Sequence, residues 1–136
     1  MSMIVAYILT FLGALAVVLT RLRLRNSHAG WPLAAHTAAG TVAVVLWLLF
    51  LIFPSDSFLG GSLVGVIALA FWWATTATGL MLLVRWLPSR SRGKRAADTV
   101  DAADSWTESP WLSVLAHVGM LLGVSWFTWA YAISAI

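Results

Sequence analysis

Cysteine is missing from the chain altogether, and the charged residues that do occur avoid most of its length. Without a thiol there is no disulfide, no iron–sulfur ligation, no Cys-type zinc site and no covalent attachment of a c-type haem. The carboxylates Asp56, Asp98, Asp101, Asp104 and Glu108 all lie in polar stretches between apolar runs. A proton-coupled exporter of this size is expected to bury an Asp or Glu inside a membrane span. Paired carboxylates, a Ser/His/Asp constellation and a Gly-rich phosphate loop are also lacking. These absences argue against an independent hydrolase or transporter.

Lys and Arg are equally confined. Arg21, Arg23 and Arg25 form one cluster, and Arg85, Arg90, Arg92, Lys94 and Arg95 form the other. Between them lie long apolar runs, and 61% apolar content with a mean hydropathy of +0.91 is beyond the soluble range. Lipid hydrocarbon excludes charge, and short loops rich in Lys/Arg stay in the cytoplasm. The sequence therefore predicts an all-α integral membrane protein, a four-transmembrane-helix bundle with both termini outside. The whole chain forms one domain, with spans at about 3–20, 33–53, 60–84 and 111–136. Cytoplasmic loops at about 21–32 and 85–110 and an outer turn at about 54–59 connect them. The charge of the first loop follows the first apolar run instead of preceding it, so that run reads as an uncleaved helix rather than a secretory signal.

Both basic clusters read as anchors to anionic headgroups of the cytoplasmic leaflet, each charge contributing on the order of 1 kcal/mol. Nucleic acid is not an expected partner, because the clusters abut apolar spans instead of forming a folded basic surface. The preference for Arg over Lys and the abundance of Ala suggest a GC-rich bacterial genome, and so a bacterial plasma membrane. Pro32 and Pro110 suit the first turns of the second and fourth helices, where a missing N–H costs nothing, and Ser109 suits the N-cap before Pro110. Trp31, Trp86 and Trp111 mark one interface and Trp126, Trp129 and Tyr131 the other. Trp47, Trp72 and Trp73 lie too deep for a belt; helix packing is their commoner role, a flat ligand the other.

A faint repeat relates the two halves. Trp31–Pro32–Leu33–Ala34–Ala35–His36 echoes Trp111–Leu112–Ser113–Val114–Leu115–Ala116–His117, as in two tandem helical hairpins related by an axis along the membrane normal. The repeat predicts His36 and His117 at similar depth below the cytoplasmic surface. His36, Gly40, Ala43 and Trp47 share one face of the second helix, and Ser113, His117, Leu121 and Val124 one face of the fourth. Thr75, Thr76, Thr78, Gly79 and Met81 of the third helix could line the same level. Two histidines on facing helices can ligate haem iron from opposite sides, with Gly40 giving clearance for the macrocycle. In this the chain resembles, in architecture, the small membrane cytochromes of the b type, which hold haem between histidines in four-helix bundles. The plainer alternative is a neutral histidine that hydrogen-bonds a carbonyl or hydroxyl and fixes packing. His28, in the first loop, reads as solvated, although a three-histidine metal set is conceivable with it.

Gly61 and Gly65, and Gly119 and Gly123, each form a G-x-x-x-G that lets helix backbones approach, within the bundle or against a partner. Together these features lead first to an accessory or anchor subunit of a larger plasma-membrane complex, joined to other membrane subunits or to copies of itself. The alternative is a b-type haem or quinone-associated electron-transfer subunit. Because the chain is cysteine-free, single cysteines placed at Ser55 and at Ser91 test the topology. They should react with a membrane-impermeant thiol reagent from opposite sides of the bilayer; labelling from one side would overturn the four-span arrangement.

Overall fold

A computed structural model describes residues 2–23, 31–93 and 110–136. All regular structure among them is helical: α1 (Ser2–Arg23), α2 (Trp31–Ile52), α3 (Ser62–Gly93) and α4 (Pro110–Ala132). Three of these contain stretches long and apolar enough to cross a membrane, Trp31–Ile52, Ser62–Val84 and Val114–Ala132. The apolar part of α1, Met3–Leu19, is shorter. Large apolar side chains cover the outside of the bundle, among them Phe11, Val45, Val66, Leu115, Leu122 and Trp129. A soluble monomer rarely exposes so continuous an apolar surface. The fold is that of a helical bundle with candidate membrane spans, consistent with a multi-pass membrane protein.

The ends of the helices differ from the expected spans in ways that local chemistry explains. α3 begins at Ser62, because Gly60 and Gly61 belong to the turn that precedes it. There the Ser57 hydroxyl donates to the Pro54 carbonyl at 2.6 Å and accepts from the Gly60 N–H at 3.0 Å. A β-carbon at Gly60 would collide with the carbonyl oxygens of Phe53 and Pro54, so the turn demands glycine. At its other end α3 continues past Val84, through Pro88, to Gly93, into what the charge pattern marked as loop. α4 stops at Ala132, where Ser134 takes a left-handed φ of 53° and the Ala135 N–H reaches back to the Ala130 carbonyl at 2.8 Å. That 6→1 bond closes a helix without glycine. Arg21 and Arg23 fall in the last turns of α1, and Arg85, Arg90 and Arg92 on the last part of α3. Arg25, His28, Lys94, Arg95, the acidic stretch from Asp98 to Glu108 and the Ser109 cap lie outside the described residues.

Each helix packs against its neighbours in sequence, α2 on α3 most closely, and α4 closes back on α1 most loosely. The diagonal pairs, α1 with α3 and α2 with α4, meet only through side chains. Trp47 of α2 reaches Phe127 of α4 with ring centroids 4.7 Å apart, and Phe127 meets Trp72 of α3 at 5.8 Å. These rings are fully or almost fully buried and form the core of the half nearer the α2–α3 turn. The Trp47 and Trp72 indole N–H groups have no acceptor among the described residues. Trp73 is 40% exposed and donates to Thr128 Oγ1 on α4 at 3.0 Å. Two tyrosines tie the same half together, Tyr7 donating to the Leu51 carbonyl at 3.0 Å and Tyr131 to the Ser62 carbonyl at 2.8 Å.

Glycine makes the ring packing possible. The Cβ position of Gly13 lies 2.6 Å from Trp72 Cη2, and that of Gly65 lies 2.7 Å from Tyr131 Cε2 and 3.0 Å from Phe50 Cε2. Gly61, in the turn, does not share a helix seam with Gly65. Among the described residues nothing lies within 4 Å of the Cβ position of Gly119 or Gly123, so this second pair seats none of the described helices. Gly65→Val should therefore destabilise the fold by about 1–3 kcal/mol through overpacking. Gly123→Val should stay within about 0.5 kcal/mol. Thermal unfolding of the detergent-solubilised variants checks both; equal effects would refute the assignment.

Candidate functional site

His36 and His117 face each other across the α2–α4 diagonal. Counting from the first residue of each helix, both sit about two turns or less inside the bundle. Their imidazoles are half-buried, with centroids 6.3 Å apart and planes inclined by 21°. α3 passes beside the gap at Gly79. A β-carbon there would stand 2.8 Å from His36 Cε1, 2.9 Å from His117 Cδ2 and 3.1 Å from His117 Nε2. Any side chain at position 79 would have to displace both rings.

Hydroxyl groups surround the pair. Thr78 Oγ1 lies 3.2 Å from His36 Nδ1. Thr37, Thr75 and Thr76 are buried and donate along their own helices, to the carbonyls of Ala34, Phe71 and Trp72. Such i−3 and i−4 bonds remove the cost of burying a hydroxyl and leave its lone pairs available. His36, His117, Thr37, Thr75 and Thr76 line a cavity of about 110 Å³, which Ala16 and Val17 of α1 and Met120 of α4 complete. A cleft of about 310 Å³ between α1 and α4 adjoins it and shares Ala16, Ala116 and Met120. Gly13, Gly119 and Gly123 line this cleft with Leu12, Trp72 and Leu115. The α4 glycines thus border open space leading to the histidines.

Residues expected at this level divide clearly. Gly40 lines the cavity, but its Cβ position lies 3.3 Å from Thr75 Cγ2 and 3.4 Å from Val17 Cγ2, so it serves the approach of α2 to α3 and α1. Clearance between the rings comes from Gly79 instead. Met81 is 71% exposed and takes no part. Trp72 packs on Gly13 at the far end of the cleft, and Trp73 lies on the outside of the bundle. Thr75, Thr76 and Thr78 mark this level of α3 as polar and Gly79 sits among them, but that Thr78 and Gly79 both meet the rings depended on the rotation of α3.

Among the described residues no three His, Asp or Glu side chains come together. A bare cation between the imidazoles would thus have two neutral protein ligands and no counter-charge in apolar surroundings, a costly arrangement. Two imidazoles bound to one ion from opposite sides place their centres roughly 6 Å apart, given metal–nitrogen distances of about 2.0–2.1 Å. The His36 and His117 rings stack at 6.3 Å, close to that separation. The chain matches no protein-family model, no curated protein and no solved structure at a significant level.

Proposed function

We propose that this chain is a plasma-membrane subunit that holds one haem b between His36 and His117 and passes electrons to or from a larger complex. The observation that carries this reading is the pair of nearly parallel imidazoles 6.3 Å apart on diagonal helices. In the proposed topology all four helices cross the membrane, both termini lie outside and the histidines occupy the cytoplasmic half. The basic clusters there anchor the bundle to anionic lipid.

Each helix has a part in this arrangement. α2 and α4 would supply His36 and His117 to hold the group. Gly79 of α3 already stands against both rings, so room for a flat macrocycle would have to come from the α1–α4 cleft, which Ala16, Ala116 and Met120 join to the histidine cavity. Porphyrin supplies four further nitrogens and two negative charges, which meets the lack of carboxylates around the site. Haem iron would supply a one-electron couple, with His36 and His117 as its protein ligands. Val17 and Met120 keep the pocket apolar, which limits solvent access.

A cofactor-free structural subunit is the second reading, and one observation favours it. Gly119 and Gly123 give α4 a small-residue face on the α1–α4 cleft, and among the described residues nothing lies within 4 Å of their Cβ positions, so a neighbouring membrane helix could seat there. The two readings compete for that cleft.

Protein purified in mild detergent after expression with haem available should show a reduced-minus-oxidised absorption band of b haem. His36→Ala, His117→Ala and Gly79→Leu should each abolish it. Gly40→Ala should retain most of it, because the added methyl meets only the tips of Thr75 and Val17. Colourless protein that co-purifies with stoichiometric partners would leave the structural reading in place and remove the haem.

A further inference from the structure

We infer that the cavity beside His36 and His117, with the α1–α4 cleft that adjoins it, binds a membrane-soluble ligand of the hydroquinone class, one hydroxyl-bearing ring on a linear apolar tail. The space sets the shape. Gly79 stands against both imidazoles and closes the gap between them, and the cavity opens beside them toward Ala16 and Val17 of α1. Its volume of about 110 Å³ compares with the ~150 Å³ in which an apolar cavity holds a single benzene ring. One ring, seated where Ala16, Ala116 and Met120 border both spaces, matches it. The cleft beyond, about 310 Å³, is lined by aliphatic, aromatic and glycine residues and reaches the outside of the bundle at Leu12 and Leu115, both exposed. A helix with its side chains is about 10–12 Å across and can only lie over such an opening, whereas a linear chain can enter it. A haem needs the same cleft for its macrocycle. This ligand uses both spaces as they stand, so the inference goes beyond the haem reading and does not rest on it.

The lining sets the chemistry of the head. It contains no Asp, Glu, Lys or Arg, so the head is neutral, and a phospholipid headgroup would find no counter-charge. The Thr37, Thr75 and Thr76 hydroxyls give their protons to the Ala34, Phe71 and Trp72 carbonyls, which leaves them lone pairs to offer. His36 is committed in the same direction. A neutral imidazole has one N–H, and the Thr75 backbone carbonyl accepts from this ring, with Thr78 Oγ1 a further neighbour 3.2 Å from Nδ1. Both partners belong to α3, so toward a ligand His36 also offers a lone pair. Thr37, Thr75, Thr76 and His36 therefore all accept. A head with hydroxyl groups supplies the missing donors. The corresponding quinone carries carbonyl oxygens in their place and sets acceptors against acceptors.

The probe is a decyl-tailed benzohydroquinone, kept reduced without oxygen and added to haem-free protein in mild detergent. Nitrogen-15 NMR of labelled histidine should show the ring signals of His36 and His117 shifting saturably. The matching decyl-tailed quinone should bind on the order of tenfold more weakly, because its head leaves buried acceptors unpaired. Gly119→Leu fills the cleft at a position where the described residues leave room, so the fold should tolerate it while saturable binding is lost. Thr75→Val keeps the shape of the side chain and removes one acceptor; it should weaken the hydroquinone and leave the quinone unchanged. Equal affinity for the two ring forms, or undiminished binding in Gly119→Leu, would overturn the inference. So would a Gly119→Leu variant that binds hydroquinone normally but loses a partner subunit, since a helix would then cover the cleft. Hydroquinone bound by protein that never takes up haem would remove the haem reading and keep this one; haem uptake without saturable hydroquinone binding would do the reverse.

Discussion

At position 79 the missing β-carbon is what allows two histidines and a third helix to share one level of the bundle. The Cβ position lies within 3.1 Å of both rings, so any residue larger than glycine would drive α3 away from α2 and α4 or push the imidazoles out of register. The same device recurs along the molecule. Gly13 of α1 seats the Trp72 ring and Gly65 of α3 seats the rings of Phe50 and Tyr131. In a bundle that spans a membrane, as these candidate spans are consistent with, helices gain little from burying apolar surface; close van der Waals packing and hydrogen bonds hold them instead. A ring lying on a glycine supplies that packing where the backbones of diagonal helices do not touch.

This packing divides the bundle lengthwise. Toward the α2–α3 turn, Trp47, Trp72 and Phe127 fill the interior, and the Tyr7, Trp73 and Tyr131 hydrogen bonds each join two helices. Interhelical bonds of this kind average about 0.6 kcal/mol in a membrane bundle. Their value here is in fixing register at one end. Toward the other end the interior is hydroxyls, two imidazoles and open space. The half with the firm core holds α2 and α4 in the axial register that keeps His36 opposite His117, while the looser half retains room beside them.

Much of this was legible in the chain itself. The histidine pair stood out because the apolar runs hold no Asp, Glu, Lys or Arg, and the echo of Trp31–His36 in Trp111–His117 put the two at one depth. The buried line of Gly40, Ala43 and Trp47 on α2 followed from helical spacing alone. What spacing could not supply was rotation of one helix against another. Gly40 and Gly79 are both glycines at the right level, and only the packing shows that the first meets Thr75 and Val17 while the second meets the rings. The G-x-x-x-G patterns needed the packing for the same reason: Gly61 falls in a turn, Gly65 seats the rings of Phe50 and Tyr131, and Gly119 and Gly123 border a cleft. The extension of α3 to Gly93 was hidden by its charges, since hydropathy marks where a helix leaves lipid and not where it stops.

Charge balance connects the site to the composition of the whole chain. The described helices bring no carboxylate to the histidines, and the threonines around them spend their protons on backbone carbonyls. Such a pocket offers neutral nitrogen and oxygen lone pairs in a space walled by Ala16, Val17 and Met120. A hydrated cation would have to shed its water there without compensation, and an anionic substrate would find no base. A ligand suited to the pocket carries its own neutralising charge, has a flat apolar body for the α1–α4 cleft and needs one lone pair on each side. The proposed haem answers that charge balance better than a simple ion, because porphyrin would bring its own negative charge to a level where the described residues place none.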